Sequence, residues 1–170
     1  MKHSARVALV AVLAAILSSC ADSASPPADG MIQPGDKVGE FSVTRGEGED
    51  VVYMTMQHCP YDSGSGTERC AFSAGTHVNV AEGIYDDDPT GGKSLDAYWT
   101  EQTHEMVISG RRVNLEAFGY VDLPHPTFGT IRVWNVVVTS DKPGELSARS
   151  TGVVGGDPFD YTGVVTFTSP

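Results

Sequence analysis

The sequence predicts an all-β fold, a single β-sandwich of about eight strands that is immunoglobulin-like or jelly-roll-like. From residue 31 onward, short runs rich in Val, Thr, Phe and Tyr are separated by clusters of Gly, Pro and Asp, and no long stretch has a helical period. The chain has 170 residues, 40% of them hydrophobic, which suits one domain of ordinary size. We therefore expect the β-sandwich to occupy residues 31–170, after two short segments at residues 1–19 and 20–30.

The first segment has the composition of an export signal. Lys2 and Arg6 precede an apolar run at residues 7–17, which as a helix of about 1.5 Å per residue spans only about half of a bilayer core. The string LSSC that ends at Cys20 resembles the lipobox of bacterial lipoproteins. The resemblance implies cleavage before Cys20 and a diacylglyceryl group on its sulfur. It also implies an extracytoplasmic domain that is anchored to a membrane of the cell envelope.

Residues 21–30 (ADSASPPADG) are small, polar and proline-bearing, as expected of a tether.

The charge of the chain limits its partners. The formal net charge is −11, and removal of Lys2 and Arg6 with the signal leaves −13. Because phosphate binding needs basic patches, we expect no nucleic-acid partner. The same charge repels anionic lipid headgroups, so the acyl chains alone must hold the anchor, at about 0.8 kcal/mol per buried methylene.

Eight segments of the domain are predicted to be strands. The run IRVWNVVVT at residues 131–139 is apolar on both faces, which is typical of a central strand. TGVV occurs at residues 151–154 and 162–165, on either side of the turn-like GGDP, and predicts a hairpin. The predicted strands are 40–44, 51–58, 76–80, 100–108, 113–118, 131–139, 146–154 and 161–168.

A second hairpin is predicted around the dipeptide SG at residues 109–110. In the strand before this turn, His104, Met106 and Ile108 lie on one face, because successive side chains of a strand point to opposite sides. Residues 113–118 alternate between apolar and polar side chains and are predicted to form the returning strand.

Cys59 and Cys70 are the only cysteines left once Cys20 carries lipid. They flank the turn-rich segment PYDSGSGTER, and an isolated cysteine pair in an exported domain predicts a disulfide. We expect this disulfide to fix the loop against the strand at residues 76–80. Free thiols and a zinc site with His58 and His77 are the alternatives, although the short C-x₂₋₄-C spacing of structural zinc sites is missing.

A set of thioether and imidazole side chains suits Cu(I), which prefers soft ligands. The strings YMT at residues 53–55 and HEM at residues 104–106 resemble strings in small periplasmic copper(I) chaperones, but residues 113–123 lack the second His-x-Met of that family. The resemblance implies a Cu(I) site, whereas the alternative is that the methionines fill space in the core. The candidate ligands are Met54, Met56, His58, His104 and Met106.

An acidic run offers oxygen ligands for a harder cation. Asp86, Asp87 and Asp88, with Asp96 beyond a turn, have the ligand type that Ca²⁺ prefers. The D-x-D-x-D-G spacing of EF-hands is missing, and a solvated loop tip is the alternative.

The motifs G-x-S-x-G, H-E-x-x-H and the phosphate loop are also missing, so no catalytic residue and no resident cofactor is predicted.

The sequence therefore favours a lipid-anchored extracytoplasmic binding or interaction module, whose partner is a protein or a small molecule. Loops carry the contacts in such domains, so residues 59–70 and 85–93 are the predicted contact regions. A periplasmic Cu(I)-binding protein is the alternative function.

Overall fold

The computed structural model describes residues 30–46, 50–54, 59–62, 66–85, 93–125 and 129–170. Strands dominate these residues, so the predicted all-β class is confirmed. In chain order the elements are β1 (Lys37–Val38), β2 (Phe41–Thr44), β3 (Val51–Tyr53), β4 (Tyr61–Asp62), β5 (Thr67–Ser73), β6 (His77–Asn79), β7 (Gly83–Tyr85), α1 (Leu95–Glu101), β8 (Thr103–Ile108), β9 (Arg111–Arg112), α2 (Leu115–Phe118), β10 (Tyr120–His125), β11 (Gly129–Trp134), β12 (Val137–Thr139), β13 (Gly144–Val154) and β14 (Asp157–Thr168).

Three sheets build a sandwich-like domain. The six-stranded sheet has the order β4-β5-β14-β13-β8-β9, the five-stranded sheet β1-β2-β12-β6-β3, and the small sheet β10-β11-β7. Val138 from the five-stranded sheet and Leu146 from the six-stranded sheet belong to one buried cluster. The rings of Phe41 and Phe167 meet across the same core with centroids 5.8 Å apart. Among the described helices, none is long and apolar enough to cross a membrane.

The turns of both predicted hairpins are present, although the strand that returns from Ser109-Gly110 is Arg111–Arg112 and not residues 113–118. β8 pairs antiparallel with β9 through Ser109 and Gly110, whose φ angles of 46° and 85° suit a two-residue turn between twisted strands. Met106 and Ile108 are buried on the inner face of β8, as the alternation predicted. β13 pairs antiparallel with β14 from Gly144↔Phe167 to Val154↔Asp157, and this long hairpin forms the middle of the six-stranded sheet.

The predicted strand at residues 113–118 is wrong. Val113 makes an isolated bridge to Ile32 and donates its amide to the Met106 carbonyl at 2.9 Å, and the chain then enters α2. Leu115 and Phe118, three residues apart, lie on one face of this turn of helix and are buried. The alternation stops at Ala117, and the apolar pair three residues apart fits a helix, which explains the error.

The predicted strand at residues 131–139 is two strands in different sheets. β11 ends at Trp134 in the small sheet, and β12 begins at Val137 in the five-stranded sheet. Asn135 fixes the crossing, because its side-chain amide donates to the Gly46 carbonyl at 2.9 Å and accepts from the Gly46 amide at 2.8 Å. The amide residue inside this run therefore marks the point where the chain changes sheets.

The predicted strand at residues 100–108 begins too early. The Ser94 hydroxyl accepts from the Ala97 amide at 3.3 Å and starts α1, and the Gln102 amide donates to the Tyr98 carbonyl where α1 ends. β8 then begins at Thr103. Gln102 therefore lies at the junction of a helix and a strand, which becomes important below.

The Cys59–Cys70 disulfide is confirmed, with the two Cα atoms 4.9 Å apart. Its loop is held differently from the prediction. β4 pairs with the start of β5, and β5 runs parallel to β14 in the six-stranded sheet, whereas residues 76–80 belong to the five-stranded side. The expectation that this loop rests on residues 76–80 was wrong, because β5 pairs with a strand that lies more than ninety residues later in the sequence.

Candidate functional site

Arg132 joins α1 to the small sheet. It is 8% exposed, and its Nε and Nη2 donate to the two carboxylate oxygens of Asp122 at 2.6 and 2.8 Å. Its Nη1 donates to Asp96 on α1 at 2.7 Å. Hydrogen bonds to Asp122 and then to Asp96 raise the pKa of Arg132 above its usual range, and the guanidinium lowers the pKa of Asp122. We call this arrangement the Arg132 junction.

The junction positions an aromatic cluster. The guanidinium carbon of Arg132 lies 4.4 Å from the ring centroid of Tyr120 and 5.7 Å from that of Trp99. Trp99 contacts the ring of Trp134 at 4.6 Å, so the two tryptophans of the chain are in contact. The imidazole of His104 also meets the Trp134 indole edge-on, with ring centroids 6.2 Å apart.

The His104 cleft consists of two depressions that share Gln102 and His104 as wall residues. The hairpin-side depression, of about 640 Å³, lies between α1, the start of β7 and the tip of the β13–β14 hairpin. The tryptophan-side depression, of about 520 Å³, lies between α1, β8, β9, α2 and β11, and includes both tryptophans. Phe159, whose ring is 5.3 Å from His104, lines the first depression.

Three buried nitrogen atoms meet in this cleft without a hydrogen-bond partner in the described part of the chain. They are Gln102 Nε2, His104 Nε2 and Trp134 Nε1. All three residues line the tryptophan-side depression. A buried polar group without a partner costs about 1–3 kcal/mol, and most such groups in folded proteins are paired. Adjacent unpaired groups therefore mark a place where a molecule with matching groups would gain most by binding.

His104 is neutral in this setting. Burial lowers the pKa of its imidazole to about 4, well below the ordinary value of 6.5. A neutral imidazole has one donor nitrogen and one acceptor nitrogen, so at neutral pH Nε2 serves in either role according to the tautomer. Gln102 Nε2 and Trp134 Nε1 are donors only.

Two carboxyl groups stand at the far end of the hairpin-side depression. Glu68 is 1% exposed and accepts a hydrogen bond from the Tyr161 hydroxyl. Burial, reinforced by the negative charge of Glu68, raises the pKa of Glu82 to about 7. Glu82, Gly83 and Tyr161 line both the hairpin-side depression and a small cavity of about 50 Å³ that also contains Glu68.

The structure separates the alternatives that the sequence left open at the cysteines. Ligand atoms of Cys59, Glu68 and Cys70 lie within 4.8 Å of one another, but the sulfur atoms are joined, so neither serves as the thiolate that zinc needs. His77 is exposed on β6 in the other large sheet. His58 lies outside the described residues. The zinc site is therefore incompatible with the oxidised protein.

The copper candidates are only partly visible, since Met56 lies outside the described residues together with His58. His104 and Met106 line the tryptophan-side depression together. Met106 is 1% exposed and belongs to the core cluster, against which Met54 also packs. Met54 lines the small cavity beside Glu68. Core packing accounts for both methionines, and Cu(I) binding stays a prediction.

The remaining predicted sites fall largely outside the described residues. This holds for Cys20, for Asp86, Asp87 and Asp88, and for parts of the predicted contact loops. Asp96 is described, and its carboxylate accepts from Arg132 in the Arg132 junction.

Sequence reasoning missed Gln102 and the carboxyl pair of Glu68 and Glu82. Trp134 was assigned to one face of a central strand, without a role. The only signal was Trp99, directly before the predicted strand at residues 100–108, which is too weak to specify a cleft.

Comparison with known proteins adds no relative. No family model, no curated protein and no solved structure matches this chain. Function is therefore inferred from the His104 cleft and from the sequence.

Proposed function

We propose that the protein is a lipid-anchored extracytoplasmic binding module of a bacterial cell envelope, and that its ligand occupies the His104 cleft. The observation that carries the proposal is the meeting of the three buried, unpartnered nitrogen atoms of Gln102, His104 and Trp134. The lipobox-like string that ends at Cys20 supports the anchor.

The size and walls of the cleft support a binding role. Depressions of about 640 and 520 Å³ lie within the range of small-molecule sites. Aromatic side chains such as Tyr98, Phe159 and Trp99 line them, with a few polar groups that converge on Gln102 and His104. Such a combination of apolar walls and few directional groups is typical of a preformed binding site.

Only one of the two carboxyl groups lies within reach of a molecule in the hairpin-side depression. General acid–base catalysis needs a group within hydrogen-bond reach of the substrate. Glu68 is 1% exposed, and the cavity it shares with Glu82 holds about 50 Å³, which is room for a few water molecules only. A substrate in the larger depression would meet Glu82 but not Glu68.

Thermal denaturation of the full-length protein in detergent tests the binding role. The probes are uncharged saccharides, amines, carboxylates and apolar aromatic compounds, each at millimolar concentration. We expect at least one class to raise the melting temperature, because a ligand that binds only the folded state stabilises it. The shift should shrink in Gln102→Leu. Failure of every class to shift the wild-type protein would contradict the proposal.

The anchor is tested separately. Cells that express the full-length chain are labelled with a fatty-acid analogue, alongside cells that express Cys20→Ala. We expect label on the wild-type protein and none on the variant, which should be unprocessed or released. Equal labelling of the two proteins would remove the lipid anchor from the proposal.

Cu(I) binding is the second candidate function, favoured by the shared wall position of His104 and Met106. Mass spectrometry of the reduced protein with one equivalent of Cu(I) and a competing chelator measures it. Retention that is lost in Met54→Leu/Met56→Leu would promote this candidate. Retention that is unchanged would remove both methionines as ligands, and no retention at all would end the copper hypothesis.

A further inference from the structure

The chemistry of the cleft narrows the class of ligand, on the assumption that the proposed binding role is correct. Gln102 Nε2 and Trp134 Nε1 only donate hydrogen bonds, and His104 Nε2 adds a third nitrogen beside them. A ligand that satisfies both donors must therefore carry at least two acceptor atoms. Hydroxyl, ether and carbonyl oxygens meet this requirement, and ammonium groups do not.

The charges around the cleft exclude an anion as the source of those oxygens. Arg132 is neutralised by two carboxylates in the Arg132 junction. Arg112, at the rim of the tryptophan-side depression, pairs with Glu105 at 2.7 Å. Glu82, Asp157 and Glu116 line the two depressions, and the chain as a whole carries −11. Such a cleft repels carboxylates and phosphates.

The aromatic walls require a ligand with an apolar face. Trp99 and Trp134 line one depression, and Tyr98 and Phe159 line the other. The face of an aromatic ring is electronegative, so it attracts C–H groups that carry a partial positive charge. A sugar ring has such C–H groups on its faces and has hydroxyl groups at its rim. Its hydroxyl groups can also donate to the carboxyl groups of Glu82 and Glu116.

We infer that the His104 cleft binds an uncharged saccharide, with a sugar ring against the tryptophans and sugar oxygens accepting hydrogen bonds from Gln102 and Trp134. The two depressions meet at Gln102 and His104, so a ligand of two linked rings places one ring on each side of these residues.

The experiment begins with a glycan array that carries uncharged, amino and uronic-acid saccharides, probed with the full-length protein in detergent. The strongest uncharged ligand and its charged analogues are then titrated in solution. Both tryptophans line the cleft, so their intrinsic fluorescence reports occupancy directly. We expect saturable changes with the uncharged saccharide, and affinity at least about tenfold lower for an analogue with a carboxylate on the same ring.

Two substitutions test the proposed contacts. Gln102→Leu and Trp134→Phe each remove one buried donor, and each should weaken binding by about five- to tenfold, as expected for one lost hydrogen bond. Thr168→Val is the matched control, since it removes one side-chain donor, which bonds the Phe72 carbonyl at 3.2 Å, and Thr168 does not line the cleft. Its affinity should equal that of the wild type. The Gln102 variant keeps the experiment decisive if Trp134→Phe does not fold.

The possible outcomes separate this inference from the proposed function. If no saccharide binds, or if only charged saccharides bind, the inference is overturned. The binding role survives that result when a compound of another class raises the melting temperature and this shift depends on Gln102. If no class shifts the melting temperature, both fail. Saccharide binding that is unchanged in both donor variants would also overturn the inference, because the ligand would then lie elsewhere.

Discussion

The Arg132 junction and the His104 cleft share Trp99 as a contact residue, and both bury polar groups. At the junction, Nε, Nη1 and Nη2 of Arg132 all donate to carboxylate oxygens. At the cleft, the nitrogens of Gln102, His104 and Trp134 have no partner within the described residues. Buried nitrogen atoms are therefore paired in one region and unpaired in the other.

The difference separates a structural role from a binding role. A structural polar group is most stable when it is paired, and replacement of an unpaired one by an apolar side chain would usually stabilise the fold. The junction follows this rule, since Asp122 and Asp96 surround its charge. The cleft breaks this rule, because its buried nitrogen atoms are unpaired and lower the stability of the fold. Such a loss of stability is typical of functional sites.

The largest expected effect comes from the disulfide, whose sulfur atoms lie within 4.8 Å of a carboxylate oxygen of Glu68 in the small cavity. Reduction of Cys59–Cys70 reopens a loop of about twelve residues and should lower the free energy of unfolding by about 3 kcal/mol. The melting temperature should fall by several degrees, and trypsin should then cleave at Arg69. No free thiol should titrate in the unreduced protein.

The control for this measurement is a Cys59→Ala/Cys70→Ala variant, whose melting temperature should not respond to reductant. Two thiols that titrate in the native protein would contradict the bond. A bond that is present, with identical melting and proteolysis after reduction, would show that packing holds the loop.

The next effect is a pair of opposed pH dependences within the cleft. The pKa of His104 falls from 6.5 to about 4 on burial. The unfolded chain therefore binds this proton more tightly than the folded one. The contribution of neutral His104 to the free energy of unfolding is complete above pH 6.5 and is lost as the pH falls towards 4. The pKa of Glu82 rises from 4.5 to about 7 through burial and the charge of Glu68. Its contribution is complete below pH 4.5 and is lost as the pH rises towards 7.

Because both pKa shifts are of similar size, the two slopes largely cancel between pH 4.5 and 6.5 in the wild-type protein. Glu82→Gln should remove one slope, so that its free energy of unfolding falls steeply on acidification, by about 2–3 kcal/mol across this range. His104→Gln should give the opposite slope. Urea denaturation at four pH values from 4.5 to 7.5 measures both variants, and parallel profiles would refute this account.

The comparison also shows which parts of the molecule are readable from sequence. The hairpin at Ser109-Gly110 and the β13–β14 hairpin were predicted because turn and strand pattern are local. The change of sheet at Asn135 was not, since it depends on hydrogen bonds to Gly46, which lies 89 residues earlier. The all-β class follows from composition and pattern, whereas the sheet order does not.

The cleft could not be predicted from the sequence for the same reason. Its wall residues come from several elements, including β7, α1, β8, β11 and the tip of the β13–β14 hairpin, which meet only through long-range pairing. Trp134 looked like one more apolar side chain, and Gln102 lies between two elements without any pattern around it. Of the candidate set, His104 was placed correctly on the inner face of its strand, but its partners were not.

A smaller effect tests the junction itself. Arg132→Met removes the guanidinium that pairs with two carboxylates, and we expect the free energy of unfolding to fall by about 2 kcal/mol. The loss is moderate because Asp96 and Asp122 are exposed enough to be hydrated afterwards. Arg149→Met is the matched control, since it breaks an exposed bidentate pair with Asp160 and should leave stability unchanged. Equal effects of the two substitutions would mean that the junction is not a structural element.

The smallest expected effect distinguishes most directly between an unpaired polar group of the cleft and a paired structural one. Gln102→Leu replaces an amide whose buried nitrogen has no partner among the described residues, so the free energy of unfolding should stay the same or rise by up to about 1 kcal/mol. Asn135→Leu is the same kind of change at a paired amide. It leaves the amide and the carbonyl of Gly46 without partners, and should lower the free energy of unfolding by about 2 kcal/mol. Urea denaturation of both variants at pH 7.5 measures the contrast. A loss of stability in Gln102→Leu as large as that in Asn135→Leu would mean that Gln102 stabilises the fold and is not kept for binding.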